Sequence, residues 1–383
     1  MKILYIFRSL AVCGGIERIL VDKMNSMADS YGMDVYLLTS DQGVHLVPYR
    51  LSEGVHHEDL GICFYRQYRF RGLHRLMVAS KMVRQYRQLL SERLRGIRPD
   101  LIICTTSDRI DIITKLKGSV PLVVESHSIC IRTLSHGRNW LHRIIHRFRF
   151  LRSLSKVDMI VTLTEGDACE WRKYHSRVAV IPNFVHQHEE TVSYQTSKKA
   201  IFVGRFDYQK RAQDAIQIWK LVRERHQDWV LEVYGDGELL QEVCSLSLTV
   251  GGVVVHQPTE KIFEAYKDSC FLISTSLFEP FGLVIPEAMS CGLPVVAFDC
   301  PYGPADMITD GENGYLVKDR DMMTFVERVC ELIENEEFRQ KMGQKARLSS
   351  KRYEAEVIMP MWIQLLSQLV VSEHSISSES DGK

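Results

Sequence analysis

Residues 271–297 read Phe271-Leu-Ile-Ser-Thr-Ser-Leu-Phe-Glu279-Pro-Phe-Gly282-Leu-Val-Ile-Pro286-Glu287-Ala-Met-Ser-Cys-Gly292-Leu-Pro294-Val-Val-Ala297. An apolar run, a loop, a segment closed by Gly292 and stopped by Pro294, and a second apolar run spell strand, loop, short helix, strand. Proline is tolerated only in the first turn of a helix, so Pro286 sets the helix start just before it and leaves unpaired N–H groups around Gly282 to Ile285. Donors of this kind, at the carboxyl ends of strands in an open α/β sheet, suit a phosphate. Glu279 precedes the helix and Glu287 lies in its first turns, so one carboxylate can reach each side of an anion held between them. On spacing alone, the two acids equally suit the electrostatics of a helix start.

Working outward, the same alternation recurs. Apolar runs at 3–7, 35–39, 101–104, 122–124 and 159–163 are separated by longer helical patterns, beginning with 16–30. Runs apolar on both faces predict a parallel sheet flanked by helices. The pattern stops near Ile181-Pro182-Asn183-Phe184 and restarts at 200–203, 230–234, 253–256, 271–274 and 295–298. This predicts an α/β protein of two Rossmann-like domains, 1–185 and 200–355, joined by a polar linker, 186–199. A C-terminal helix is expected over 356–371, with apolar residues at 357, 358, 361, 362, 365, 366, 369 and 370, followed by a mobile polar tail, 372–383.

At 383 residues with 45% hydrophobic and 25% charged residues, the chain excludes disorder, collagen and a disulfide miniprotein. Ten cysteines without a CxxC pair read as reduced core thiols rather than bridges or zinc ligands. The apolar start, Met1 to Phe7, is broken by Arg8 and reads as a first strand rather than a signal peptide. No run approaches the roughly 18 apolar residues of a spanning helix. The net charge of +0 conceals polarity: residues 1–184 hold 28 Lys+Arg against 17 Asp+Glu, and residues 185–383 hold 20 against 31. The first half therefore suits an anionic partner.

A second candidate site follows the strand at 200–203, in Gly204-Arg205-Phe-Asp-Tyr-Gln-Lys210-Arg211. Arg205 and Lys210 flank a short loop at the same sheet edge as Glu279, where a guanidinium forks onto a diphosphate and an ammonium adds point charge. The same residues also suit a solvated basic loop. In the first half, Cys13-Gly14-Gly15-Ile16-Glu17-Arg18 follows the first strand and opens a helix, so its glycines let backbone approach a ligand. It lacks the GxGxxG spacing of a dinucleotide site. Asp319-Arg-Asp321 reads as a solvated turn and His186-Gln-His188 as a solvated pair, so no metal is expected.

Glu279 and Glu287, the run Ala288-Met-Ser-Cys-Gly292-Leu-Pro294, and the segments Gly303-Pro-Ala-Asp306 and Asp310-Gly-Glu-Asn-Gly314 resemble the hallmark of retaining glycosyltransferases of family 4. Those enzymes act in cell-surface polysaccharide biosynthesis and adopt the GT-B fold, two facing Rossmann-like domains with a C-terminal helix crossing back to the first. The resemblance implies that Glu279 faces the donor sugar, that the amides of Phe281, Gly282, Leu283 and Val284 meet sugar and diphosphate, and that Glu287 binds ribose hydroxyls. It makes Arg205 and Lys210 the cations that neutralise the departing diphosphate, with Gly204 shaping their loop; the family often has Gly where this chain has Arg211. Gly14 and Gly15 match its N-terminal glycine loop, with Arg18 a weak acceptor contact, and His127 in Glu125-Ser126-His127 stands where the family often carries a histidine near the donor. Tyr234-Gly-Asp-Gly-Glu238 matches a turn that shapes the base pocket, whereas Gln257 replaces a usual glycine.

The expected reaction is metal-independent, retaining transfer of a hexose or N-acetylhexosamine from a nucleotide-diphosphate sugar, uridine the expected base, to a glycan, here a lipid-linked one. No cofactor is implied. The basic excess lies in 65–98, with ten Arg+Lys and only Glu92, and 136–156, with six and no acid, both interleaved with aromatics. That mixture suits an anionic membrane surface and hence a cytoplasmic protein attached peripherally to the inner face; it also suits nucleic acid, which leaves the Glu279/Glu287 loop without a role. An inactive nucleotide-binding regulator and a nucleotide-sugar epimerase remain the alternatives.

Overall fold

The computed structural model divides into two units, Met1–Ile181 with Met359–Lys383, and Pro182–Ile358. The structure describes all residues except 13, 136–139, 186–189, 191 and 381–383, and no side chains at 141, 142 and 372–380. Cys13, the pair His186 and His188, and part of the 136–156 stretch thus lie outside the described residues.

The first unit holds a parallel sheet of β1 (Lys2–Phe7), β2 (Asp34–Thr39), β3 (Val55–Asp59), β4 (Leu101–Thr105), β5 (Leu122–Glu125), β6 (Met159–Thr162) and β7 (Val178–Val180), in the order β3-β2-β1-β4-β5-β6-β7. β4 and β5 are buried along their whole length, which is why their sequences run apolar without alternation. Leu4, Ile6, Ile102, Leu122, Val124 and Trp171 form the centre of its core. The strand order reverses beside β1, whose two neighbours are β2 and β4.

The second unit repeats the plan with β8 (Lys199–Val203), β9 (Val230–Tyr234), β10 (Val253–His256), β11 (Phe271–Ser274), β12 (Val295–Asp299) and β13 (Gly314–Lys318), in the order β10-β9-β8-β11-β12-β13. Here the order reverses between β8 and β11. In open α/β sheets that reversal opens a crevice at the carboxyl edge. The two loops singled out by sequence, after β8 and after β11, are the loops of this crevice.

All ten expected strands form. The three not expected, β3, β7 and β13, are each at a sheet edge. β3 is Val-His-His-Glu-Asp and β7 is three residues long, so neither carries the apolar run that marks a central strand. The last helix spans Ala355–Ser380, past the expected end at 371. Its buried side chains are Ile358, Met359, Trp362, Leu366 and Leu369, while Val357 and Met361 are exposed. The apolar stripe is therefore rotated from the expected face, with Met359 replacing Val357. Nine cysteines are free thiols, among the described residues.

Candidate active site

The loop after β11 is built as its sequence demands. The helix Val284–Ser290 begins two residues before Pro286, and every residue from Ile285 to Ser290 is buried. Gly292, at φ +80°, takes the left-handed conformation that ends it, and Leu293 N–H donates back to Ala288 O at 3.0 Å. Ile285 N–H is satisfied by Gly282 O at 2.9 Å, so the expected set of open donors is narrower: among the described residues the amides of Gly282, Leu283 and Val284 have no partner.

Glu279 is fixed by its backbone before its side chain is considered. Its N–H donates to Pro301 O at 2.7 Å, and its carbonyl accepts from Tyr302 and Gly303 N–H, each at 2.9 Å. A Cβ at Gly303 would collide with Phe281 O, so glycine there is what lets the two loops meet. The buried Glu279 carboxylate accepts at Oε1 from Lys210 Nζ at 2.5 Å and Ser276 Oγ at 2.6 Å. Glu287, equally buried, accepts from Tyr266 O–H at 3.2 Å. One helix start thus carries two buried acids, each held by a polar partner from another element.

Lys210 reaches Glu279 because Asp207 Oδ1 accepts from both Gln209 and Lys210 N–H at 3.0 Å, folding the loop after β8. Leu277 N–H to Gln209 O at 2.8 Å and Gln209 Nε2 to Phe278 O at 3.1 Å stitch this loop to the one after β11. Gly204 lies under the Lys210 chain: an added Cβ would stand 3.2 Å from Lys210 Cγ. Arg205 is not drawn in. Its side chain is 68% exposed and its guanidinium pairs with Asp207 Oδ2 at 3.0 Å. Arg211, where the family favours glycine, has φ +51°, and its guanidinium is tied to Asp319 Oδ1 at 2.8 Å.

Two further motifs read from the sequence have structural roles. Asp319-Arg-Asp321 is the expected surface turn, and both of its acids are used: Asp319 anchors Arg211, and Asp321 caps the helix Met322–Glu334 by accepting from Thr324 N–H at 3.1 Å. The Gly235–Gly237 turn packs on protein backbone, since a Cβ on Gly235 would strike Gly204 O. It braces the Arg205 loop. Among the described residues, His226, Cys330 and Glu334 form the one group able to converge on a cation, but Glu334 already accepts from Arg225 at 2.6 Å and stands 3.0 Å from His226.

In the first unit, Gly14 caps the helix Gly15–Asp29, with Arg18 N–H donating to Gly14 O at 3.1 Å. Arg18 itself is half-buried. His127 is buried at the end of β5, Nε2 3.0 Å from Glu125 Oε2. The same oxygen accepts from Lys23, a buried lysine lying 4.1 Å from the centroid of Trp362. Burial raises the Glu125 carboxyl, but Lys23 and His127 outweigh it and hold it below its ordinary range. Glu125 Oε1 and His127 Nδ1 are buried with no partner among the described residues, so this polar knot keeps open hydrogen-bonding capacity. Sequence reasoning missed Lys23. Its signal was a charge on the stripe Ile19, Leu20, Met24 and Met27, which is buried throughout.

Among the described residues no helix is long and apolar enough to cross a membrane.

The profile of glycosyltransferase family 4 matches residues 13–189, and that of glycosyl transferases group 1 matches residues 184–349, so the two together cover both units. The amylovoran biosynthesis glycosyltransferase AmsD of Erwinia amylovora is 26% identical over 385 residues, 96% of this chain and 99% of that protein. An exopolysaccharide phosphotransferase of Streptomyces coelicolor is 30% identical over 73% of this chain, which spans only 30% of that longer relative. The structure of a Staphylococcus aureus TarM variant in complex with Fondaparinux, alpha-GlcNAc-glycerol and UDP superposes with a TM-score of 0.76 at 16% identity, covering 95% of this chain and 99% of that one. With its two parallel-sheet units and both domain profiles, the chain belongs to the family-4, group-1 glycosyltransferases of GT-B fold.

Proposed function

We propose that the chain transfers a hexose or N-acetylhexosamine, with retention and without a metal, from a UDP-sugar to a lipid-linked glycan during surface polysaccharide assembly. The observation that carries this reading is the buried Lys210–Glu279 pair at the strand-order reversal of the second unit. In the reaction the bond from the anomeric carbon to the diphosphate breaks, the acceptor oxygen bonds to that carbon, and the acceptor proton leaves with the diphosphate. Lys210, Arg205 and the free amides of Gly282 to Val284 oppose the growing negative charge. Arg205, exposed at rest, has the freedom to swing onto the diphosphate. Glu279 orients the sugar, Glu287 takes the ribose hydroxyls, and Gly14, Gly15, Arg18 and His127 serve from the first unit. UDP in the complex of the TarM variant favours a uridine donor here.

The exposed apolar side chains of the helices Gly72–Ile97 and Trp140–Leu154, set among arginines, favour peripheral attachment to an anionic bilayer at the cytoplasmic face. The test is a panel of nucleotide sugars. One of them should raise the melting temperature and be turned over when a glycan acceptor is supplied, since a ligand bound only by the folded state stabilises it. Stabilisation without transfer or hydrolysis in the presence of any acceptor would leave a nucleotide-binding regulator instead.

A further inference from the structure

In the helix Gly15–Asp29 the buried residues are Ile19, Leu20, Val21, Met24 and Met27, and with them Lys23. A leucine in its place would complete the apolar stripe. Lys23 instead pairs with Glu125, both side chains 2% exposed, and a buried ion pair is often no more stabilising than apolar side chains of similar volume. The use of the pair lies in what it touches.

It touches His127 through a single atom. Glu125 Oε2 accepts from Lys23 Nζ and lies 3.0 Å from His127 Nε2. Burial raises the Glu125 carboxyl, but Lys23 and His127 hold it down, so it is ionised. An ionised carboxylate only accepts, and the hydrogen between the two side chains therefore sits on Nε2. In the neutral ring Nδ1 is then bare, and it is buried with no partner among the described residues. The main chain on either side is pinned: Glu125 O accepts from Thr106 N–H at 3.0 Å, Ser126 N–H donates to Val161 O at 2.8 Å, and Ser126 Oγ donates to Ser128 O at 2.7 Å. With the backbone fixed, Glu125 sets the rotation of the ring. The other groups around the carboxylate do not compete. Tyr5 O–H donates to Met27 Sδ at 3.6 Å, burial pushes the Cys104 thiol up so that it stays neutral, and the Lys23 ammonium is closed in by the Trp362 and Tyr5 rings, 4.1 and 6.0 Å from their centroids.

We propose that Lys23 and Glu125 are positioning residues for His127: they fix its ring as the Nε2–H tautomer, so that Nδ1, at the carboxyl end of β5, is the acceptor for a hydroxyl of the substrate. Glu125 supplies the oxygen that selects the tautomer. Lys23 cancels the negative charge that would otherwise draw a second proton onto the ring and turn Nδ1 into a donor. The role of His127 toward a substrate rests on the glycosyltransferase reading; the tautomer rests on the contacts of the first unit alone.

Two double variants test this, because both lack the ion pair and only one lacks the acceptor. Lys23→Met with Glu125→Gln keeps a carbonyl oxygen for Nε2–H, whereas Lys23→Met with Glu125→Leu offers none. The imidazole nitrogen shifts of histidine-labelled protein are recorded by NMR at pH 8, with His127→Gln to assign the ring, beside kcat and KM for the nucleotide sugar that the parent turns over. The parent and the Gln double variant should show Nε2 protonated and Nδ1 bare, with similar kcat. The Leu double variant should show a mixture of tautomers and a kcat lower by about tenfold or more, the scale of one charge-assisted hydrogen bond, at little change in KM. The single variant Lys23→Met should carry protons on both nitrogens; should it not fold, the double variants, which leave no buried charge unpaired, still decide. Circular dichroism and a cooperative melt establish that each variant is folded. A parent ring protonated on Nδ1, or Gln and Leu double variants alike in tautomer or in kcat, overturns the proposal, since a purely structural ion pair treats the two alike. A parent that turns over no nucleotide sugar strikes the glycosyltransferase reading instead, and the nitrogen shifts, which need no turnover, still decide whether Lys23 and Glu125 fix the ring.

Discussion

Lys210 Nζ stands 2.5 Å from Glu279 Oε1, and the two side chains, 15% and 4% exposed, come from loops that follow neighbouring strands, β8 and β11. Neither strand alone makes a site. Their adjacency, created by the strand-order reversal, brings a cation and an acid together out of water. On the proposed reading, a diphosphate arriving at Lys210 would compete with Glu279 for the ammonium, and the carboxylate it releases would then be available to sugar hydroxyls. Donor binding and the freeing of Glu279 would then be one event.

The pair's stability signature follows from its burial. Lys210→Ala leaves a buried carboxylate and should cost about 3–5 kcal/mol. Glu279→Ala leaves a buried ammonium and should cost a similar amount, whereas the double variant Lys210→Met with Glu279→Leu should be more stable than either. Urea denaturation measures this, and all three should lack transferase activity. A Lys210→Ala protein as stable as the parent would show that the ion pair does not persist in solution.

Arg211 supplies a separate prediction because it holds φ +51°, where a side chain is penalised and glycine is not. Arg211→Gly relieves roughly 1 kcal/mol of backbone cost but loses the tether to Asp319, an interaction of about the same size. Its stability should stay near that of the parent. Arg211→Ala loses the tether and keeps the backbone cost, so it should melt several degrees below Arg211→Gly. Equal melting temperatures would mean that the turn relaxes when the tether goes.

These two loops also show what the sequence made legible. Pro286, Gly292 and Pro294 have single structural meanings, so the strand–loop–helix–strand unit and its two acids could be read directly. Arg205 and Lys210 look alike in sequence, yet Asp207 takes both the guanidinium of Arg205 and the backbone N–H of Lys210, and only Lys210 reaches Glu279. That choice depends on hydrogen-bond geometry across the loop, which spacing does not encode. The edge strands β3 and β7 were invisible because one side of an edge strand need not be apolar. The Lys23–Glu125–His127 knot joins residues 102 positions apart in sequence, and only the sheet brings them together.

Asp108 should leave a mark on the pH dependence of stability. Burial pushes its carboxyl up to about 7, against hydrogen bonds from Thr105 that pull it down. A carboxyl whose folded value exceeds its unfolded one contributes stability that is complete below the unfolded value, near 3.8, and is lost as pH rises through about 7. Asp108→Asn, which is neutral at every pH, should therefore gain on the parent as pH increases from 5 to 8, and the two should run parallel below about 4. Melting curves across that range test it. A parent-to-variant difference that does not change with pH would mean that Asp108 titrates as an ordinary surface acid.

The membrane reading depends on side chains that a solvated helix does not need. Leu73, Leu76 and Met77 are 79%, 66% and 65% exposed on the helix Gly72–Ile97, and Phe148 is 66% exposed on the helix Trp140–Leu154. Their burial in a bilayer interface would contribute about 25 cal/mol for each Å² removed from water, and the surrounding arginines add roughly 1 kcal/mol each near an anionic surface. The two contributions respond differently. Added salt screens the arginines and should release the protein from anionic vesicles, whereas Leu76→Glu with Met77→Glu should weaken flotation at every salt concentration. Neutral vesicles should bind weakly in both cases. Failure to float with anionic vesicles at low salt would remove the bilayer from the account, and any attraction of the basic first unit would then have to come from the acceptor's own charge.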